Sequence, residues 1–526
     1  MNQTLTGARP LLRASLKQDA RNIGPWIVLI TALSASSVLA YAWVFPDLAS
    51  RQQLAATLGA NPALSLIFGQ ARDLLTADGF NAWRAGALGG FFAALMAIFI
   101  VIRNSRADED SGQAELLASG VMGRQTRLAV ALIMAAMASV VLGVFSWLIT
   151  VAFGGGWLNS LALSATFTAS GLMFAGVAGI AAQIGSDART ANSIAVATLG
   201  VAFIVRGYFD ASQASAWTAW LTPSGWLEEV RPATSNNGWP LLLALGLAAV
   251  LAAVALALSA RRDFGLGMIA PRRGPARGGI VASVWGLALR INRGSLISWL
   301  VAFAGLGMVF GFLATSVGDV FADSPLVQSN ATTQAGLIFS FMVTILQLVG
   351  IIAAVFGVQI VMRIYAEEID YRVEPLLGAA LSRPKYLASN AIIAFAAPAV
   401  ALLINGTVIG LVAASAEPGI SAGDVILQAM ATIPAVWTLI ALALAAVGAN
   451  PRVRLIGWLG VVVTFVLTLL GPLFRLWDWI LGISPLWHVP NVTAVSRDWS
   501  GLGWVILIAV LLTAVAFTGF RRRDII

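Results

Sequence analysis

The chain has 526 residues, 59% hydrophobic and 11% charged, with a mean hydropathy of +0.86; that is more apolar surface than one globular core can hide, so lipid is the solvent for most of it. It has no Cys and a single His, His488, which excludes disulfides, thiolate-bound metals, a thiol nucleophile and any multi-histidine metal site. The formal charge of +8 falls in short basic clusters between apolar runs, a pattern of membrane topology rather than of nucleic-acid binding.

Bilayer-crossing helices need about 20 mostly apolar residues, because every backbone amide must be satisfied within the segment. In chain order, charge-free stretches run over 26–46, 85–102, 128–186, 190–205, 232–260, 294–318, 324–362, 386–416, 425–451, 455–474 and 499–520. The third is too long for one crossing and is broken by Gly154, Gly155 and Gly156, which marks a tight turn between two helices. The expectation is an all-α membrane protein of about twelve transmembrane helices. Ahead of the first span, Arg9, Arg13, Lys17 and Arg21 form one stripe beside Leu12 and Leu16, the pattern of an interfacial helix; residues 279–293, with Ile280, Trp285, Arg290 and Arg293, offer a counterpart. Ala40, Tyr41 and Ala42 imitate a signal-cleavage site, but the basic region before them is unusually long for one, so the segment is read as a retained span.

Twelve crossings put both termini on one side. Basic residues concentrate before the first span and after each even-numbered one; only Arg51, Arg72, Arg84, Arg206, Arg231, Arg475 and Arg497 fall on the other side. Both termini are therefore expected in the cytoplasm, with the chain multi-pass in a bacterial plasma membrane.

The loop after the second span repeats after the eighth. At one constant offset Glu109 aligns with Glu368, Glu115 with Glu374, Leu117 with Leu376, Arg124 with Arg383, and Leu128-Ala129 with Leu387-Ala388. Arg261-Arg262-Asp263 recurs as Arg522-Arg523-Asp524, and Gly185 and Arg189 as Gly448 and Arg452. Six spans return the chain to its starting side, so the expectation is two parallel six-helix repeats, 1–260 and 294–526, joined by a basic Pro- and Gly-rich linker at 261–293.

The pattern E-x-G-x-x-E-x-L-L followed by a basic residue resembles the cytoplasmic coupling region of type-two ABC exporter permeases. In layout the whole chain is similar to the actinobacterial polyketide antibiotic exporters, the tetronasin-type permeases. The second copy departs from the pattern, with Tyr371 where the first has Gly112, and Pro375 inside the Glu-Leu step. The resemblance implies a fused pseudo-dimer of permease halves that exports hydrophobic or amphiphilic compounds by alternating access. It also implies two copies of a separate ABC ATPase subunit holding ATP and Mg, and coupling through Glu109, Glu115, Arg124, Glu368, Glu374 and Arg383. Independently, the only lysines are Lys17 and Lys385, preceded by Leu16 and Pro384, so no P-loop is present and this chain is not the ATPase. No catalytic or metal-binding set and no cofactor is expected in it.

By the same resemblance spans two, five, eight and eleven line the substrate path. They offer Phe91, Phe92, Met96, Phe203, Phe339, Phe341, Met342 and Phe465, with Arg206 near the exit, either paired with Asp210 or facing an anionic substrate. Such side chains give large, adaptable contact area; the same residue types also serve plain helix packing or lipid contact. The outer loops at 47–84, 207–231 and 475–498 carry Trp residues suited to an interfacial belt. The rival reading is a proton- or sodium-coupled secondary transporter, which would need intramembrane carboxylates that the spans scarcely contain.

Overall fold

The computed structural model describes residues 6–59, 62–110, 123, 125–212, 214–262, 267–269, 279, 283–322, 331–379, 381–416, 419–470, 477–494 and 499–524. Among them there is no β-strand, and twelve helices are long and apolar enough to cross a bilayer. The chain divides into two compact units, Met1–Gly274 and Pro275–Ile526, so the division falls inside the segment 261–293. The first unit holds α1 (Ala8–Val44), α2 (Ala77–Ile102), α3 (Thr126–Ala152), α4 (Trp157–Ile184), α5 (Ala188–Ala211) and α6 (Trp239–Arg261). The second holds α7 (Val284–Ala322), α8 (Ala331–Ile369), α9 (Arg383–Ala416), α10 (Ala422–Ala449), α11 (Ile456–Leu470) and α12 (Ser500–Arg522).

Helices extend beyond the charge-free runs because an ion pair, hydrogen bonds and a cap let charged turns continue them. The basic segment before the first span is not a separate surface helix: α1 runs on from Ala8 with Pro25 in its interior. Leu11, Leu12 and Leu16 pack on the first unit's core, and buried Asp19 accepts from Arg103 at 2.8 Å and Asn104 at 2.8 Å. In the second unit α7 likewise continues from Val284 into its span, with Asn292 buried and accepting from Arg363 at 3.3 Å. α2 begins at Ala77 rather than 85, because the Thr76 hydroxyl caps it by accepting from the Gly79 N–H at 3.0 Å. The stretch before it is not plain loop but two short helices, Leu48–Gly59 and Pro62–Phe68.

One helix is central in each unit. α4 packs on α2, α3, α5 and α6, and α10 on α8, α9, α11 and α12. Without a hydrophobic drive between helices in lipid, small residues that admit close backbones decide such contacts. A Cβ at Gly448 of α10 would lie 2.6 Å from the Ala516 carbonyl oxygen, and one at Gly519 of α12 would lie 2.5 Å from the Ala449 Cα. In the first unit the Ser170 hydroxyl donates to the Gly90 carbonyl at 2.7 Å, fastening α4 to α2.

Candidate functional site

The Arg-rich end of the first unit is built around Glu109. α2 leaves its regular geometry in a π turn at Arg103–Ala107, a form frequent at functional sites, and this turn carries Arg106 inward until its side chain is 1% exposed. Arg106 donates to Glu109 at 2.7 Å and to the Ser186 carbonyl between α4 and α5. From the end of α6, Arg262 donates to both oxygens of the same carboxylate, at 2.6 and 2.7 Å. One carboxylate thus ties together the ends of α2 and α6 and, through Arg106, the α4–α5 turn. Charge-assisted pairs of this kind are strong and directional.

The second unit holds the corresponding pair. Arg523, just past α12, grips Glu368 of α8 in a fork, Nη1 to Oε1 at 2.6 Å and Nη2 to Oε2 at 2.7 Å, while its Nε donates to the Gly448 carbonyl at 3.0 Å. Arg383 donates to the Arg523 carbonyl at 2.8 Å. The turn after α8 puts Tyr371 at φ 56, the left-handed region that glycine favours. Glu374 starts the short helix Glu374–Gly378 and is exposed. Of the six coupling residues inferred from sequence, Glu109 and Glu368 therefore face their own units, Arg383 holds the end of α12, Glu374 faces solvent, and Glu115 and Arg124 lie outside the described residues.

Asp187 caps α5 next to the first clamp, its Oδ1 accepting from the Thr190 N–H at 2.8 Å. Burial alone would raise its carboxyl, but hydrogen bonds from Thr190 and Ser186 hold it below the usual carboxylate value. A depressed value means stabilisation fully present above the ordinary range near about 4 and lost as pH falls through the depressed one. Asp187→Ala is expected to cost about 1 kcal/mol at neutral pH, with Asp187→Asn losing much less; thermal unfolding should show the alanine gap closing in acid.

At the opposite, tryptophan-rich end, α5 approaches the helix Pro62–Phe68 so closely that a Cβ at Gly207 would lie 2.2 Å from the Leu66 carbonyl oxygen. Arg206 is the hub. It donates to Asp210 at 3.2 Å, to Glu228, and to the Leu66 and Ile67 carbonyls at 3.1 and 3.2 Å. Its guanidinium carbon stands 4.6 Å from the Phe203 ring centre. Of the two roles open to it from sequence, the geometry gives pairing with Asp210, and adds Glu228 and the two carbonyls.

Of the path residues inferred from sequence, Phe91 and Phe203 meet edge to face at 4.9 Å and line a cleft at this end of the first unit. Phe92 packs against Phe91 at 5.8 Å. Met96 is sealed in the first unit's core, Phe339 and Met342 are buried in the second's, with Phe341 packed on it, and Phe465 is 43% exposed. His488 bonds the Gly482 carbonyl at 2.8 Å, and Trp226 donates to the Trp220 carbonyl at 2.8 Å.

The description "Multidrug efflux system permease Rv1217c, C-terminal domain" matches residues 29–258 and 281–521 of this chain. The multidrug efflux system permease protein Rv1217c of Mycobacterium tuberculosis is 36% identical over 534 residues, covering 99% of this chain and 95% of that protein.

Proposed function

Because the chain belongs to the family of multidrug efflux system permeases that includes Rv1217c, we propose that it is the membrane-spanning subunit of an ATP-driven exporter of hydrophobic or amphiphilic compounds, polyketide-like antibiotics among them. Two copies of a separate ABC ATPase, carrying ATP and Mg, drive it by alternating access. The chain is multi-pass in a bacterial plasma membrane with both termini and the Arg-rich ends in the cytoplasm.

The observation that carries this reading is the Glu–Arg clamp found in each unit, Glu109 with Arg262 and Glu368 with Arg523. The glutamate of each clamp opens the loop that repeats in the sequence. A push on that loop is therefore delivered to the unit's second and last helices together, which is what coupling to an ATPase needs. Two six-helix halves in parallel are supported by the recurrence of the clamp and by one family description covering both 29–258 and 281–521. The position of Tyr371, left-handed where the first copy has Gly112, fits the same register. In this arrangement the clamps position the coupling loops, and Glu115 and Glu374 are left to meet the ATPase.

The test is ATP hydrolysis by the co-purified complex in lipid, comparing wild type with the Glu115→Arg, Glu374→Arg double variant. Drug-stimulated hydrolysis is expected to fall to the unstimulated level, or the complex to come apart, while the permease keeps its gel-filtration profile. If no ATPase co-purifies with the wild type and transport follows a proton gradient, the reading is wrong and a secondary transporter takes its place.

A further inference from the structure

On the turns that lead into its span, α1 carries Arg9, Arg13, Lys17 and Arg21, spaced four apart and all exposed. That spacing puts them along one line of the helix. The opposite face is the packed one, with Leu12 and Leu16 on the first unit's core and Asp19, Ile23 and Ile30 buried. Among the described residues none of the four basic side chains has a hydrogen bond or an ion pair. The acids at this end are engaged elsewhere. Asp19, the only acid of α1, accepts from Arg103 and Asn104. At the end of α2, Glu109 is held by Arg106 and Arg262, Asp110 accepts from the Ala188 N–H, and Asp108 interacts with Arg127.

What meets the basic line can be read from where it leads. Along the same face of α1 follow Pro25, Val28, Leu29, Leu39 and Trp43, the last four exposed by 68%, 52%, 47% and 83%. An apolar face left open along a membrane span is covered by lipid, so the basic line continues the lipid-facing surface of α1 beyond the hydrocarbon. The buried Asp19–Arg103 pair, where the charge-free run of α2 ends, marks that boundary. At about 1.5 Å of rise per residue, Arg21, Lys17 and Arg13 lie within about 9 Å of it along the axis, and Arg9 about 15 Å away. The headgroup layer is about 5–8 Å deep on each side of a bilayer, and long basic side chains reach along their helix to meet it. α7 shows the same arrangement in the second unit: Arg290 and Arg293 are exposed, and Arg293 leads at i+4 and i+8 to the exposed Ile297 and Val301.

We propose that this face of α1 binds anionic phospholipid headgroups, with Arg13, Lys17 and Arg21 on the phosphates and Arg9 extending the positive field. A zwitterionic headgroup brings its own cation and gains little there. The buried face of the same turns holds Arg103 and Asn104, where the π turn towards the Glu109 clamp begins, so lipid seated on α1 also steadies the approach to that clamp. The reading of the Arg-rich ends as cytoplasmic decides only which leaflet supplies the lipid.

The experiment is native mass spectrometry of the purified full chain in detergent, titrated with dioleoyl phosphatidylglycerol or dioleoyl phosphatidylcholine. Phosphatidylglycerol is expected to bind about tenfold tighter or more. Arg9→Gln, Arg13→Gln, Lys17→Gln and Arg21→Gln together should cut that ratio by about fivefold or more, the remainder belonging to Arg290 and Arg293. The exchange Arg13→Lys, Lys17→Arg, Arg21→Lys keeps every charge and should keep the ratio. Should the fourfold variant fail to fold, Lys17→Gln alone decides, with an expected loss of about two- to fivefold. A wild type without preference for the anionic lipid overturns the proposal. So does a wild-type ratio in the glutamine variants with an unchanged melting profile; if those variants lose a co-purifying ATPase instead, the line is a protein-docking face. The titration contains no ATPase, so its failure leaves ATP coupling standing, and a missing ATPase leaves the lipid result standing.

Discussion

Glu109→Ala is expected to remove about 3–5 kcal/mol from the first unit, the usual cost of stranding a buried charge whose partner has been taken away. Two buried arginines lose their shared acceptor together, Arg106 at 1% and Arg262 at 8% side-chain exposure, and the Asp110 carboxylate 3.6 Å from Arg106 offsets only part of that loss. Neither can reach bulk water without unwinding the π turn or the end of α6. Glu109→Gln should lose less, since it keeps one oxygen acceptor for Arg262. The corresponding change in the second unit, Glu368→Ala, leaves the Arg523 side chain with the Gly448 carbonyl and the Phe520 ring, whose centre is 4.9 Å from its guanidinium carbon. There a repair is possible: replacing both Glu368 and Arg523 by methionine removes both charges and fills their volume, so the double variant should melt close to wild type while each single variant melts well below it. Thermal unfolding followed by gel filtration separates these cases. Glu109→Ala and Glu368→Ala melting with the wild type would mean that the pairs are surface contacts of negligible worth, and the transmission role argued for them would go too.

The spans were legible because hydropathy and backbone satisfaction are properties of local sequence, and each of the twelve expected spans has its helix among the described residues. Their ends were less so. α2 starts eight residues before its charge-free run, since a capping threonine and hydrogen bonds, from Gly156 and Asn159 to Asp78 and from Arg84 to Ser37, let both charges ride on a helix that the charge criterion cuts short. The interfacial helix read over 9–21 fused with its span because Asp19, which the basic stripe overshadows in sequence, is buried against Arg103. The clamps show where sequence reading stops short of geometry. Glu109 and Glu368, and Arg262 and Arg523, were each visible as recurring residues, yet the members of each pair lie 153 and 155 positions apart. Nothing local says that they meet. The parallel recurrence was the available signal, for an acid and a base that return together at nearly the same spacing are candidates for one another. Reading the glutamates as docking residues for a partner gave them outward roles that the packing assigns to their own units.

Arg206→Leu should act at the other end of the first unit and with comparable force. It leaves Asp210 and Glu228 facing each other without a cation, and it frees the Leu66 and Ile67 carbonyls that the guanidinium now caps. The expected loss is again about 3–5 kcal/mol, but its location differs. The helix Pro62–Phe68 is held to α5 chiefly by Arg206 and by the close approach at Gly207, so hydrogen exchange should rise first over 62–69 and 223–228 while the Glu109 clamp stays protected. Arg206→Lys should recover only part of the loss, because a single ammonium cannot reach four acceptors that a planar fork spans at once. Neutralising the stranded acids, with Asp210→Asn and Glu228→Gln added to Arg206→Leu, should restore much of the melting temperature, since a carboxylate buried without its cation is the larger part of the penalty. If exchange instead rises equally at both ends, the unit opens as one cooperative body, and the mouth of the cleft cannot move independently of the clamp that couples α2 to α6.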